Sequence, residues 1–264
     1  MKILIIHGSM RKGNTYAATK KLIDRILTKP DVKCTEISVA DLELPFCISC
    51  HVCINKGEEY CPHYDVVGKV WSALMECDGV IFSGTTYVRA LNAAMKNLID
   101  HLAYGYHRPA LFGKKGMVVT TSAGTGEKGV AKYLKTVLGQ WGINGAIIVT
   151  RNLKEQMLQS PDNETAMLNA AADRFYGLIA SGRQIPPSLK TIATHNAFRA
   201  MLTSEFVESE RDAQYWKQDG FYNRVYPAKA RALRYMVGAL TYGAANLAIK
   251  ILGRKYVKLQ KEGK

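Results

Sequence analysis

The sequence has no uncharged apolar run approaching the roughly 18 to 20 residues needed to cross a bilayer. The longest, Tyr235 to Ile249, is 15 residues and rich in Ala and Gly. The apolar stretch after Met1 is too short for a signal-peptide core and runs straight into a glycine turn at Gly8, so a cytoplasmic location is expected. Internal repeats and low-complexity tracts are also missing. With 264 residues, 47% of them hydrophobic and 22% charged, the chain is neither disordered nor fibrous, and it is long enough for one large domain and an extension. Acidic charge is scarce: 22 Asp and Glu face 36 Lys and Arg, a net +14. Such an excess suits nucleic acid, an anionic membrane surface or phosphate-bearing ligands. Residues 224–264 hold ten Lys and Arg against one Glu, so nine of the fourteen charges belong to the tail.

Short aliphatic strands alternate with helical segments. Strands are expected at Lys2 to His7, Val32 to Val39, Gly79 to Ser83, Gly116 to Thr121 and Ile143 to Thr150. Helices are expected at Asn14 to Thr28, Val66 to Glu76, Leu91 to Leu102, Gly129 to Gln140 and Asp162 to Ile179. Continuous apolar strands of this kind have both faces of a parallel sheet covered, so residues 1–182 read as an open doubly wound α/β domain. A break at Gly182-Arg183-Gln184-Ile185-Pro186-Pro187 opens an extension, 183–264, of different composition.

The turn Gly8-Ser9-Met10-Arg11-Lys12-Gly13-Asn14-Thr15 joins the first strand to the first helix. Its backbone N–H groups and hydroxyls would converge on a phosphate at a helix N-terminus. The glycine spacing is that of a P-loop, but Asn14 stands where the essential lysine would be, and the dinucleotide fingerprint G-x-G-x-x-G is absent. What remains resembles the G-S-x-R-x-G-N-[ST] loop of the flavodoxin-like NADPH-dependent FMN reductases, including the iron-sulfur flavoproteins. The resemblance implies a flavodoxin-like five-stranded sheet of order 2-1-3-4-5. It also implies an FMN phosphate held by Ser9, Arg11, Lys12, Gly13, Asn14 and Thr15.

Two further segments match. The family's S-P-x-Y loop and K-x-[FL]-[IL]-D-[RH] helix end are answered by Ser83-Gly84-Thr85-Thr86-Tyr87 and Lys96-Asn97-Leu98-Ile99-Asp100-His101, with Thr85 in place of the proline. By this resemblance Thr85, Thr86, Tyr87 and Val88 line the flavin ring. Ser122, Ala123 and Gly124, after the fourth strand, offer backbone N–H groups to its pyrimidine edge. Loops at the carboxyl ends of such strands meet beside the topological switch point.

Four of the six cysteines are crowded as Cys47-x2-Cys50-x2-Cys53-x7-Cys61-Pro62. In a reducing compartment that spacing suggests metal, and it resembles the compact motif of the iron-sulfur flavoproteins, which implies a 4Fe-4S cluster on these four thiolates. Zinc, on three cysteines with Cys61, His51 or His63, and free thiols near the flavin are the alternatives. Cys34 and Cys77 read as small buried residues.

In the extension, Leu233, Met236, Val237, Leu240, Ala244, Leu247, Ala248 and Ile251 form a helical apolar stripe, with Arg231, Arg234, Lys250, Arg254, Lys255 and Lys258 around it. Packing against the domain or a second subunit and peripheral contact with anionic lipid are both open; no nucleic-acid reading module accompanies the charge. Upstream, 210–221 resembles a D-x-x-Y-W-x-x-x-G-[WF] segment, whose Tyr215, Trp216, Phe221 and Tyr222 serve either to cap the flavin site or as packing. The activity implied is an FMN-dependent NAD(P)H oxidoreductase working as a homodimer or homotetramer, with a quinone, nitro or azo compound, flavin or protein as acceptor. The second reading is an electron relay with ferredoxin as donor. The flavin carries the chemistry, so no catalytic side chain is assigned.

Overall fold

Two aliphatic sets interleave along the first strand, β1 (Lys2–His7): Leu4 and Ile6 belong to one buried cluster, Ile3 and Ile5 to another. The same alternation recurs in β3 (Gly79–Tyr87) and β5 (Lys115–Ser122), where Val80, Phe82 and Val118 join the first cluster and Ile81, Met117 and Val119 the second. A strand whose two faces are both apolar has to be covered on both sides. The computed structural model, which describes residues 1–158, 160–204, 209–217, 226 and 232–261, shows this double covering.

The other strands are β2 (Lys33–Ser38), β4 (Ala90–Leu91) and β6 (Ile147–Asn152). The helices are α1 (Asn14–Leu27), α2 (Val52–Asn55), α3 (Tyr64–Glu76), α4 (Ala93–His101), α5 (Tyr104–His107), α6 (Glu127–Gln140), α7 (Leu153–Leu158), α8 (Pro161–Ala180), α9 (Leu189–Leu202), α10 (Glu210–Lys217) and α11 (Ala232–Lys261). Five strands pair in parallel in the order β2-β1-β3-β5-β6, and β4 adds antiparallel to the end of β3. With β4 set aside, this is the flavodoxin-like order expected from the sequence. Helices α1 and α8 supply Leu22, Ile23, Ile26, Leu168 and Phe175 to one face; α3, α4 and α6 supply Val70, Leu74, Leu98, Leu134 and Leu138 to the other. Each such fully buried side chain contributes roughly 1.5–3 kcal/mol. Asp173 of α8 accepts from Arg25 Nε (3.0 Å) and Nη2 (2.8 Å) and lies 2.6 Å from Lys29 Nζ, and these cations hold its carboxyl at about 2.

Several local expectations shift. β3 runs on through Thr85, Thr86 and Tyr87, which had read as a loop, because β4 turns back to pair with them. Cys77 is buried, but Cys34 lies only half-buried on edge strand β2.

The extension is helical. α10 docks on the segment after α5: Trp216 is fully buried and its Nε1 donates to the His107 carbonyl (3.0 Å), while the Tyr215 hydroxyl donates to the Pro109 carbonyl. These two aromatics therefore pack against the domain rather than over the loops at 8–15. Phe221 and Tyr222 lie outside the described residues. α9 buries Ile192, His195 and Asn196. The segment Ala232–Gly253 of α11, which includes Arg234 and Lys250, is long and apolar enough to cross a membrane by length and composition, although its uncharged core is only 15 residues.

His195 packs its ring on Trp216 (4.9 Å) and Tyr226 (5.0 Å). Burial, with Arg199 nearby, pushes its pKa down to about 3. The unfolded chain takes up that proton near pH 6.5, so between these values the unfolded state holds more protons and stability is lost as the pH falls, by about 1.4 kcal/mol per unit. Acidification from pH 6.5 toward 3 is expected to loosen α9 and α10 before the sheet, followed by near-UV circular dichroism. His195→Phe should flatten that dependence; an unaltered acid profile in the variant would contradict the assignment.

Candidate functional site

Gly8 follows β1 and donates its N–H to the Ser83 carbonyl of β3 (2.8 Å). A Cβ here would lie 2.7 Å from that oxygen and 2.9 Å from Met95 Cβ, so only glycine allows the turn to press against its neighbour. The chain then loops out through Ser9 to Lys12 and enters α1 with Gly13 as N-cap. No side chain caps this helix and its first turn holds no acidic residue, so its N-terminal N–H groups and positive dipole end remain available to an anion. Arg11, Lys12 and Asn14 are exposed around them, with Lys12 Nζ 5.6 Å from the centre of the Tyr16 ring.

Thr15 points the other way. It is buried, and its hydroxyl lies 3.0 Å from that of Thr85 at the end of β3 and 2.5 Å from that of Thr121 at the end of β5. The hydroxyl expected to hold a phosphate instead ties three loops together. Two other hydroxyls are likewise engaged: Ser9 Oγ donates to the Arg11 carbonyl (2.8 Å) and Ser122 Oγ to Glu127 Oε2 (2.6 Å). Burial pushes the Glu127 carboxyl up, but hydrogen bonds from Ser122, its own backbone and Asn152, with Lys128 beside it, outweigh this and hold it below its ordinary range.

Thr86 and Tyr87 pair with Leu91 and Ala90, so Val88 and Arg89 form a two-residue hairpin loop. Their φ angles are +46° and +61°. Positive φ at both positions is the primed geometry that hairpins favour, normally with Asn-Gly. A β-branched valine there is a conformational outlier, and αL costs a non-glycine residue about 1–2 kcal/mol. The tip leans on the β5 loop: at Gly126, with φ +104°, a Cβ would meet Arg89 Cα at 2.7 Å. Val88 is 99% exposed and Tyr87 56%, so neither packs within the chain as described. Ala123 and Gly124, in the loop that follows β5, are also exposed.

Asn92, not anticipated from the sequence, closes the arrangement. Its Nδ2 donates to the Gly8 carbonyl (2.6 Å) and its backbone N–H to the Thr85 carbonyl (3.1 Å). An asparagine just before a helix was the available signal, but it is read ordinarily as an N-cap. Among the described residues, Asn92 Oδ1, Thr86 Oγ1 and Ser83 Oγ are buried without a hydrogen-bond partner, polar groups that a bound ligand or water would satisfy. A cavity of about 520 Å³, lined by Lys2, Thr35, Lys69 and Glu76, lies at the opposite end of the strands and takes no part in this site.

The four clustered cysteines border one cavity of about 350 Å³, together with His51, His63, Lys96 and His101. Ser49 and His51 both adopt positive φ, making a tight turn around exposed Cys50. The loop is held from α4: Asn97 accepts from the Cys47 N–H (2.9 Å) and donates to the carbonyls of Leu44 and Pro45. His101 Nε2 donates to the Pro45 carbonyl (3.0 Å), which leaves Nδ1 facing Cys61 Sγ at 4.0 Å. From the other side Arg108 donates to the carbonyls of Cys53 (2.7 Å) and Ile54 (3.1 Å), to Glu58 (2.9 Å) and to fully buried Asp212 of α10. Asp212 also bonds His107 Nδ1 (2.9 Å). Neither Asn97 nor Arg108 stood out in the sequence as a support for this loop.

Burial pushes the Cys53 thiol up to about 11, reinforced by Cys61, Cys47 and Cys50 and opposed by Arg108. Thiols crowded in this way ionise readily only with a metal among them. Among the described residues no three His, Cys, Asp or Glu side chains converge on a single metal ion, as a closed tetrahedral zinc site would require.

Residues 1–153 match the family model described as NADPH-dependent FMN reductase. An iron-sulfur flavoprotein of Archaeoglobus fulgidus is 26% identical over 232 residues, covering 84% of this chain and 100% of that protein. One from Methanocaldococcus jannaschii is 34% identical over 101 residues, 38% of this chain and 51% of that protein. Among solved structures, the apo form of an NADH:FMN oxidoreductase (EMOB) shares the fold, with a TM-score of 0.53 at 20% identity, over 70% of this chain and 94% of that one.

Replacing Val88 and Arg89 by Asn and Gly should relieve the hairpin and stabilise the ligand-free protein by about 1 kcal/mol in thermal unfolding. A lower melting temperature in the double variant would show that the positive φ angles are not a cost.

Proposed function

The chain belongs to the NADPH-dependent FMN reductase family, and from that premise we propose that it seats FMN across the ends of β1, β3 and β5 and passes electrons from NADPH or NADH to a quinone, nitro or azo compound, flavin or protein acceptor. It is an NAD(P)H-dependent FMN oxidoreductase. The single observation that carries the placement is the Thr15 hydroxyl shared with Thr85 and Thr121, which brings together the loops the sequence had picked out separately.

The residues present fit the cofactor. Arg11 and the uncapped N–H groups at the start of α1 neutralise and orient a terminal phosphate, with Lys12 and Asn14 at its rim. Thr86 and Asn92 offer unpaired buried polar atoms beside the turn, Tyr87 and Val88 offer exposed apolar surface to a ring system, and Ser122 to Gly124, at the end of β5, would supply backbone N–H groups to its polar edge. When bound, FMN supplies the ring that accepts hydride and releases electrons, while the protein supplies position and electrostatics.

For the cysteines the reading is a 4Fe-4S cluster on Cys47, Cys50, Cys53 and Cys61, supported by their shared cavity. One observation favours the relay reading, with ferredoxin as donor, as the second hypothesis. α4 has nine residues, about 14 Å of helix, with Asn92 just before it on the phosphate loop and Asn97 and His101 on the cysteine loop, so a single rigid element would hold both centres.

Protein purified without oxygen separates these readings. Prompt bleaching of flavin absorbance by NAD(P)H is expected; reduction by ferredoxin or dithionite alone would replace the reductase with the relay. About four iron and four sulfide per chain are expected from the same sample, and absence of both would remove the cluster. Arg11→Ala with Asn14→Ala should weaken FMN retention at least tenfold, about 1.4 kcal/mol, by equilibrium dialysis; unchanged affinity would refute the phosphate placement.

A further inference from the structure

The last helix is turned inside out. α11 meets the rest of the chain through a half-buried side that includes Arg234, Val237, Tyr242 and Asn246. Arg234 Nε donates to the Pro187 carbonyl (2.8 Å), and the Arg199 guanidinium of α9 lies 4.0 Å from the centre of the Tyr242 ring. The outward side carries Leu233, Met236, Leu240, Leu247, Ile251 and Leu252, all exposed, Leu240 by 72% and Leu252 by 64%. Ala239, Gly243, Ala244 and Ala248 fill the spaces between them and are exposed as well. The apolar stripe, for which the sequence left both packing and lipid contact open, thus faces solvent, apart from Val237, which packs on the small cluster around Ile192. A surface of this kind, several turns long, is rare on a soluble monomer unless something covers it.

Charge selects the cover. No Asp or Glu occurs from 220 to 261, while Arg224, Lys229, Arg231 and Arg234 lie before or at the start of α11 and Lys250, Arg254, Lys255, Lys258 and Lys261 fall in its C-terminal half. A second copy laid on this helix, parallel or antiparallel, would set basic ends against basic ends with no carboxylate between them. Anionic headgroups answer those charges, and the acyl boundary beneath them takes the apolar face. We propose that α11 is a docking surface for an anionic lipid bilayer, lying in the plane of the interface with its outward face in the lipid and its inward face on α9. The attachment to α9 argues for lying over spanning, because a spanning α11 would abandon the Arg199–Tyr242 and Arg234–Pro187 contacts and carry Arg234, Tyr242 and Asn246 into hydrocarbon.

The test uses the full-length protein and large unilamellar vesicles of phosphatidylcholine, alone or with about 30% phosphatidylglycerol, in cosedimentation at low and high salt. At least tenfold stronger partitioning onto the anionic vesicles is expected, weakening as salt rises and releasable by alkaline carbonate. Leu240→Glu with Leu247→Glu, both outward, should abolish it while leaving far-UV circular dichroism and the melting temperature unchanged; Leu240→Gln with Leu247→Gln provides a milder pair should the charges disturb folding. Absence of binding to anionic vesicles, or equal binding to both kinds, overturns the proposal. Resistance to carbonate extraction overturns it in favour of a spanning helix. Self-association that the same variants abolish, without vesicle binding, overturns it in favour of a second copy of the chain.

Discussion

The hydroxyl of Thr15 sits within hydrogen-bond distance of those of Thr85 (3.0 Å) and Thr121 (2.5 Å). Each of the three belongs to a different crossover of the sheet, and each stands where its chain leaves or is about to leave the β-layer. Thr15 and Thr121 are buried and Thr85 is half-buried, so for the first two a lost partner would leave a buried polar group unsatisfied at a cost of about 1–3 kcal/mol. Loops that would otherwise move independently are held in register by this contact. The close approach of Gly8 to Ser83 and the bond from Asn92 to Gly8 brace the same junction.

From that junction α4 carries order outward. Asn92, just before it, bonds the Gly8 carbonyl, and Asn97 and His101 on its far half hold the cysteine loop, so one helix braces both segments. Arg108 completes the second anchorage. Buried with Asp212, Glu58 and two carbonyl oxygens, it joins the cysteine loop to α10 of the extension. A buried cation with this many partners contributes little net stability by itself, yet removing one partner strands the rest at high cost. The extension is thereby part of the architecture of the cysteine loop as well as the carrier of α11.

The degree to which the sequence was legible differs from place to place for physical reasons. The parallel sheet could be read because Ile3 to Ile6, Val80 to Phe82 and Met117 to Val119 are apolar on both faces, a pattern few other arrangements tolerate. The turn between β1 and α1 could be read because a glycine-bounded segment separates an aliphatic strand from a helical pattern. The hairpin at Val88 and Arg89 was hidden, since a valine at positive φ contradicts local preference and only pairing of β4 with β3 imposes it. The Thr15 hydroxyl was expected on a phosphate and lies against Thr85 and Thr121, because a threonine in a first helical turn presents its hydroxyl outward or to the sheet depending on neighbours seventy and more positions away.

Taken alone, the order of residues determined the doubly wound architecture, the positions of three loops at the strand ends and the crowding of four thiols, since each of these follows from local periodicity, glycine placement or spacing. Tertiary structure decided which polar atoms were left for a ligand, how the cysteines were braced by Asn97, His101 and Arg108, and which side of α11 faced outward. Those outcomes depend on contacts between residues far apart in the chain. For α11 the apolar stripe was visible from the start; that it lies uncovered follows only from Arg234 and Tyr242 having found partners on the opposite side.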